Sequence, residues 1–531
     1  MKIKLSHFAR STLIIAAFFG LDKVLAFARQ LIINNQFGLS YELDVFNAAN
    51  NIPDLLSALI SGGALGVALI PVLSEYLEKS GRQGAWDLFV RILNLAFIVT
   101  AALSVVIAIL APWLIDTLIA PGFPAEQKLL SVELMRLDLI AIIIFSISGL
   151  AMAGLQANKH FLLPALAPGL YNIGQIFGAL ILAPSSPYNI GGFDLPHFNM
   201  GIHGLVWGVI LGALLHLAIQ VPGLLAYGFR WRPVLGLRTE GVRKVIVLMA
   251  PRVLTMLFIH IYFVARDNLA SGLAEGSITA LNLGWFIMQV PETLIGSALA
   301  IALLPSVSQL FARGDRPGFT QAVNGAVRTI LALTIPAALL LGIGLRPLVE
   351  RAFPVYSASE VDLIVWITQL YLAGLTGHAL LEIGSRSFYA QQEARTPMWA
   401  AGINSALFVG LAVALTGRMG AGGIALAGTI AFTLEAIVLL WLLARRYPGL
   451  GETRSTLLRT AAGSLLGAGV LYAVMQWAPL PGVVAALGGM VLGMLLAMAV
   501  LWPDLKVFAQ LASSTDKVEP AETPAAGDAS L

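Results

Sequence analysis

Phe27-Ala28-Arg29-Gln30 and Val264-Ala265-Arg266-Asp267 are near-copies of one tetrapeptide, each set inside a long apolar stretch and about 237 residues apart. An arginine at membrane depth is costly unless it faces an internal cavity or a partner. Its repetition predicts two structurally related halves with a cationic cavity between them. That is the layout of a transporter, and the expected cargo is anionic.

Composition supports this reading. Of 531 residues, 58% are hydrophobic and only 11% are charged, so most of the chain must face lipid. No cysteine is present, which excludes disulfides, thiolate metal sites and cysteine nucleophiles together. A net charge of +3 gives no argument for nucleic acid as a partner. Lys2, Lys4 and Arg10 before an apolar run, with Ala26-Phe27-Ala28 after it, imitate a signal peptide. Asp22 and Lys23 interrupt that run and the apolar pattern resumes at Leu31, so the segment reads as a retained first helix.

A spanning helix needs ~20 mostly apolar residues. Fourteen such runs are present, at 12–33, 43–77, 87–117, 130–155, 161–183, 201–228, 242–270, 276–311, 321–345, 359–390, 397–416, 420–446, 456–477 and 481–502. With the N-terminus inside, cytoplasmic segments collect most of the Lys and Arg, including Lys79, Arg82, Arg230, Arg232, Arg243, Lys244, Arg313, Arg316, Arg445 and Arg446. The opposite side holds Lys128, Arg346, Arg351 and Arg418. This asymmetry and an even number of spans place both termini in the cytoplasm.

The repeat extends beyond the arginines. Ala68-Leu69-Ile70-Pro71-Val72-Leu73-Ser74 matches Ala302-Leu303-Leu304-Pro305-Ser306-Val307-Ser308, Pro112 corresponds to Pro347, and Pro164 to Pro397. Chance similarity between apolar helices explains one match but not three ordered prolines at a steady offset. Six spans per half make the repeat parallel, about an axis along the membrane normal. The expected organisation is a first lobe at 1–228, a second at 229–448, two extra helices at 449–505, and a cytoplasmic, disordered tail at 506–531. Spans two and eight are overlong and carry breakers: Pro53, Gly62 and Gly63 in one, Pro291 and Gly296 in the other. These positions are the predicted hinges; static kinks that only improve packing are the plainer alternative.

Lys23, Arg29, Asp44, Arg252, Arg266 and Asp267 are the candidate cargo-binding residues. Lys23 and Arg29, six apart, lie within about one third of the helix circumference. Asp44 opens the second span, and Arg252 precedes Arg266 by about four turns. Lys23, Arg136 and Arg266 could equally snorkel to an interface. Glu382 and Arg386, four apart, could be a simple intrahelical pair. Glu435 could be a buried protonated acid, and His216, His260 and His378 read as core histidines. No Gly-rich phosphate loop, zinc-spaced histidine pair or nucleophile elbow is present. No catalytic residue, metal or cofactor is therefore assigned. A membrane-embedded glycosyl- or acyltransferase is the different-class alternative, with Asp194 and His197 in the loop Ser185–Met200 as its only modest candidates.

Several stretches together resemble the MurJ/MviN lipid II flippases. They are Lys23-Val24-Leu25-Ala26-Phe27-Ala28-Arg29, Phe37-Gly38, Asp44-Val45-Phe46, Ile52-Pro53-Asp54-Leu55-Leu56, Ile70-Pro71-Val72-Leu73-Ser74-Glu75-Tyr76 and Pro164-Ala165-Leu166-Ala167-Pro168 with Asn172. The resemblance covers about residues 10 to 505. It implies an all-α membrane protein of the multidrug/oligosaccharidyl-lipid/polysaccharide exporter fold, with two six-helix lobes in a V and two extra helices. It further implies a monomer in the bacterial inner membrane that carries lipid II from inner to outer leaflet by alternating access. Another polyprenyl-linked glycan, or a drug, is the nearer alternative cargo. Arg29 matches the family's first-helix arginine, Lys23 replaces an arginine, and Asp44 matches an acid. Gln30 stands where many members have Asp, Ser57 and Ala58 where an arginine is usual, and Gly284-Trp285 where Asp-Arg is usual. Span eleven has no acid for the sodium site of some members.

Overall fold

The computed structural model describes residues 7–60, 64–236, 238–451 and 453–515. In lipid each backbone N–H and C=O must be satisfied within its own segment, so the apolar runs become helices. Among the described residues twelve helical stretches are long and apolar enough to cross a membrane, from Gly81–Ile119 to Gly482–Lys506. They coincide one for one with the third to fourteenth spans read from the sequence. The first span is α1 (His7–Phe37), and the overlong second is divided into α2 (Tyr41–Ala49), α3 (Asn51–Ile60) and α4 (Ala64–Lys79). Among the described residues the only β structure is an antiparallel hairpin pairing Asn189–Ile190 with Phe193–Asp194.

The breakers act through backbone chemistry. Pro53 is the third residue of α3, where its missing N–H costs no intrahelical bond. Gly62 and Gly63 lie outside the described residues. Pro291 closes α11 (Ser277–Pro291), and the next six residues, Glu292–Ser297 with Gly296 among them, form a wide π-helical turn before α12 (Ala298–Ala312). Pro112, in α5 (Gly81–Trp113), is likewise followed closely by a π turn, Leu114–Ile119. A withdrawn donor at proline leaves a carbonyl to be re-satisfied, and a wider turn is one way to do it.

The chain packs as two compact units, residues 1–280 with 352–360 and residues 281–351 with 361–531. The first unit runs past residue 228 because α10 (Glu240–Ala270) packs on α3, α4 and α5. Val242 and Val245 of α10 complete a core with Leu69, Leu73, Phe89 and Leu150. Segment 352–360 joins this unit through Asn35 Nδ2, 2.8 Å from the Ala352 carbonyl, and the Tyr356 hydroxyl, 2.9 Å from Asn34 Oδ1. The helices α7 (Leu162–Phe177) and α8 (Ile202–Ala218) approach through glycines: a Cβ on Gly174 would lie 2.3 Å from the Gly212 Cα. Only glycine permits that approach.

In the second unit, α13 (Arg316–Ala352), α15 (Leu375–Ala390) and α17 (Ala421–Arg446) share a core of Phe319, Ile330, Ile383, Phe388 and Leu439. Here α16 (Arg395–Met419) packs along α17, and α18 (Arg454–Trp477) along α19 (Gly482–Thr515). Arg459 bolts the last pair by donating Nε and Nη2 to the Asp504 carboxylate, both at 2.9 Å. The tail assigned to 506–531 is corrected at its start: α19 continues to Thr515. No Gly or Pro interrupts 504–515, so an established helix propagates at little cost.

Candidate functional site

Within the first unit, α1 packs along α7, and α6 (Ala125–Ala157) touches α2, α3 and α4. This brings the polar residues of five helices together. Arg29 of α1 is half-buried, and its Nε–H is buried without a hydrogen-bond acceptor. The Asp54 carboxylate of α3 and the Tyr171 hydroxyl of α7 lie within its electrostatic reach. Asp54 also feels Asp267 of α10, and Asp138 of α6 feels Asp54. Asp54 is nevertheless exposed. An accessible side chain ringed by charges from α1, α6 and α10 belongs to a wetted internal surface rather than to a lipid-facing one.

The other acids are absorbed locally. Asp22 is buried and accepts from the Asn172 amide of α7 at 2.9 Å. Asp44 is 3% exposed and accepts three hydrogen bonds, from Gly276 N at 2.8 Å, Thr279 N at 2.7 Å and Thr279 Oγ1 at 2.6 Å. It therefore caps the start of α11 from a distant helix, where N–H groups lack intrahelical partners. Asp267 is 1% exposed; it takes Arg266 Nε at 2.7 Å on one oxygen and Asn51 Nδ2 at 2.7 Å on the other.

The predicted cations are placed very differently. Arg266 is only 3% exposed, pairs with Asp267 and sits 5.1 Å from the centre of the Phe263 ring. Lys23 has an exposed side chain whose ammonium lies 4.0 Å from Asp22. Arg252 is exposed on α10, roughly 20 Å along the helix from Arg266 at 1.5 Å per residue. Arg29 and Asp54 are thus brought together; Lys23, Arg252 and Arg266 are not gathered with them. Sequence reasoning left Asn51, Asp54 and Tyr171 unassigned. Asp54 stood in plain view beside Pro53, a polar residue directly after a predicted hinge.

Further charged pairs are structural. Arg386 and Glu382 form the intrahelical pair, at 3.0 Å. Asp194, one of the two candidates for a transferase, accepts from Asn189 Nδ2 at 2.7 Å inside the hairpin. His216 bonds Ser148 Oγ at 2.5 Å, and His378 packs against Trp285 and Phe432. Trp285, at a position where the resembling family carries arginine, lies edge-on to Tyr371 with ring centres 5.5 Å apart. The second unit also holds an apolar cleft of about 560 Å³ lined by Leu294, Ile295, Leu299, Leu333, Met498 and Trp502, with Lys506 among its polar residues.

These features define the class: a multi-pass membrane transporter with a small polar site inside a helical unit. Comparison with known proteins is more specific. Residues 33–502 match the family model of the lipid II flippase MurJ. A lipid II flippase MurJ of Burkholderia cenocepacia is 30% identical over 397 residues, 73% of this chain and 74% of that protein. A probable lipid II flippase MurJ of Rhizobium tropici is 28% identical over 503 residues, 90% of each. In fold, the chain matches a lipid II flippase MurJ in an inward closed conformation with a TM-score of 0.77 at 22% identity, covering 94% of this chain and 99% of that one. It also matches an inward-facing multidrug transporter of the MATE family, with a TM-score of 0.69 at 15% identity, over 83% of this chain and 99% of the other. The chain belongs to the MurJ family.

Proposed function

We propose that this protein carries lipid II, an undecaprenyl-pyrophosphate-linked peptidoglycan precursor, from the inner to the outer leaflet of the bacterial inner membrane by alternating access. The observation that carries the reading is Arg29, with a buried Nε–H that no group among the described residues accepts, beside an accessible Asp54. A phosphate oxygen supplies the missing acceptor, and a guanidinium meets phosphate in paired geometry. Asp54 then competes with the pyrophosphate for Arg29. That competition holds the empty site together and helps expel the cargo after the turn to the outer side.

Lys23 and Arg252, both exposed, meet the charged headgroup on its way in or out. Asp44 holds α2 to the start of α11 and must release it as that end opens. The π turn after Pro291 supplies the bend in α12's approach, and Pro53 marks the one between α2 and α3. The apolar cleft beside Trp502 accommodates part of the isoprenoid chain. The distribution of Lys and Arg supports cytoplasmic termini, and the proline-marked repeat supports two six-helix lobes derived by duplication.

Complementation of a bacterium depleted of its own lipid II flippase tests the cargo. Rescue of growth and shape is expected; failure to rescue, with the protein present in the membrane, rejects lipid II. A second cargo, another polyprenyl-linked glycan, is favoured by one feature: Trp285, packed against Tyr371 and His378, stands where the family carries an arginine and so removes a charge from that position. Competition between the two lipids for transfer in proteoliposomes separates these cargoes.

A further inference from the structure

Among the described residues of the second unit, Glu292, Glu382 and Glu435 lie well inside candidate membrane spans, with Arg386 close to the first two. Glu382 is paired with Arg386. Glu292, in the π turn after Pro291, lies within electrostatic reach of both and accepts from Ser297 Oγ at 3.3 Å. Glu435 differs from both. It lies midway along α17, is 8% exposed, and its one side-chain donor is the Asn404 amide of α16. Among the described residues no cation pairs with it.

The groups facing Glu435 are few. From α15 come Tyr389, within electrostatic reach of Glu435, Glu382 and Arg386, and His378, whose ring is 4.2 Å from that of Phe432, three residues before Glu435. No titratable residue occurs on α16 between Arg395 and Arg418. A carboxylate buried with one neutral donor and no cation is strongly disfavoured. Asn404 carries a matching defect: it is 6% exposed and its Oδ1 is buried without a donor.

One proton resolves both. The protonated carboxyl donates its O–H to Asn404 Oδ1 while its carbonyl oxygen accepts from Asn404 Nδ2, a closed acid–amide pair with every polar atom satisfied. A metal cation is a poorer fit, since only one carboxylate and one amide oxygen converge there. We propose that Glu435 and Asn404 form a proton-binding site in the second unit, and that exchange of this proton drives the transport cycle. Loss of the proton leaves a charge that the closed packing of α15, α16 and α17 cannot hold, so water must reach it and the helices must part. The coupling role rests on the transport reading above; the binding site does not.

Two measurements on the full-length protein test it. Infrared difference spectra in nanodiscs should show the C=O band of a protonated carboxyl at neutral pH, absent in Glu435→Gln and retained in Glu382→Gln. In Asn404→Leu the band should persist at a shifted frequency, which keeps the test decisive if Glu435→Gln does not fold. A band unchanged in both variants overturns the site. In proteoliposomes a pH gradient, acid outside, should raise the initial rate of lipid II transfer several-fold in wild type. Glu435→Gln, which has no proton to exchange, should lose that response whatever its remaining rate; a retained response overturns the coupling. Absence of transfer under every condition counts against the cargo, while the infrared band decides the proton site by itself.

Discussion

Arg29 and Arg266 stand in near-identical tetrapeptides in two long helices of the first unit, but their surroundings are opposite. Arg29 is followed by Gln30, keeps a buried donor without an acceptor, and looks toward an accessible carboxylate. Arg266 is followed by Asp267, which binds it at 2.7 Å and is itself held by Asn51. One neighbouring residue separates an arginine that keeps a buried donor without an acceptor from one that is paired in the core. A tetrapeptide that recurs in the sequence thus stands in two different electrostatic settings.

The largest expected effect is on the open arginine. Arg29→Ala should abolish lipid II transfer at normal protein level, because Arg29 is, among the described residues, the cation whose charge acts on Asp54. Arg29→Lys should keep a fraction of the rate, since charge survives without the paired hydrogen-bond geometry. Transfer assays on purified protein check both. Wild-type transfer by Arg29→Ala removes the central assignment.

The paired arginine should fail differently. Arg266→Ala leaves Asp267 buried with Asn51 as its remaining partner, a loss of about 3–5 kcal/mol by analogy with other broken buried pairs. The signature is a lowered melting temperature and reduced protein level. Adding Asp267→Asn should restore much of the stability, and with it transfer. A stable but inactive Arg266→Ala would instead place Arg266 in contact with cargo and break the contrast.

Moving the acid sharpens the comparison. Gln30→Asp gives Arg29 the neighbour that Arg266 has, and should lower transfer several-fold without loss of stability. Many family members carry Asp there, but this chain lacks two of their arginines, at Ser57/Ala58 and Trp285, and has less positive charge to share. Asp44→Asn should cost about 1–3 kcal/mol in the contact between α2 and the start of α11, by weakening three hydrogen bonds of a charged acceptor. Since the chain has no native cysteine, cysteine pairs across that contact can carry spin labels, and a broader distance distribution is expected.

The smallest effect lies outside the membrane. Glu393, in the turn between α15 and α16, is held below the ordinary glutamate range mainly by the hydrogen bond from Arg446. A carboxyl lowered on folding adds stability above its unfolded pKa and loses it as pH falls through the folded one. Melting temperature should therefore fall slightly more steeply on acidification in wild type than in Glu393→Gln. Equal slopes would show that this exposed pair is energetically neutral, as many are.

Local chemistry made much of this molecule legible. Runs of about twenty apolar residues became helices because lipid leaves the backbone no other way to satisfy itself. Pro112 and Pro291, both near helix ends, are each followed by a wide turn, one way to re-satisfy a carbonyl that proline leaves without its donor. The arginines and acids were equally visible as departures from apolar sequence. Their partners were not. Asn172 reaches Asp22 across 150 residues, Asn51 reaches Asp267 across 216, and Thr279 reaches Asp44 across 235. The sequence by itself determined where the apolar helices run, since that depends on residues within a few turns. Only the tertiary structure decided which charges are cancelled and which remain open, because cancellation requires partners that come within 3 Å only after distant helices have packed.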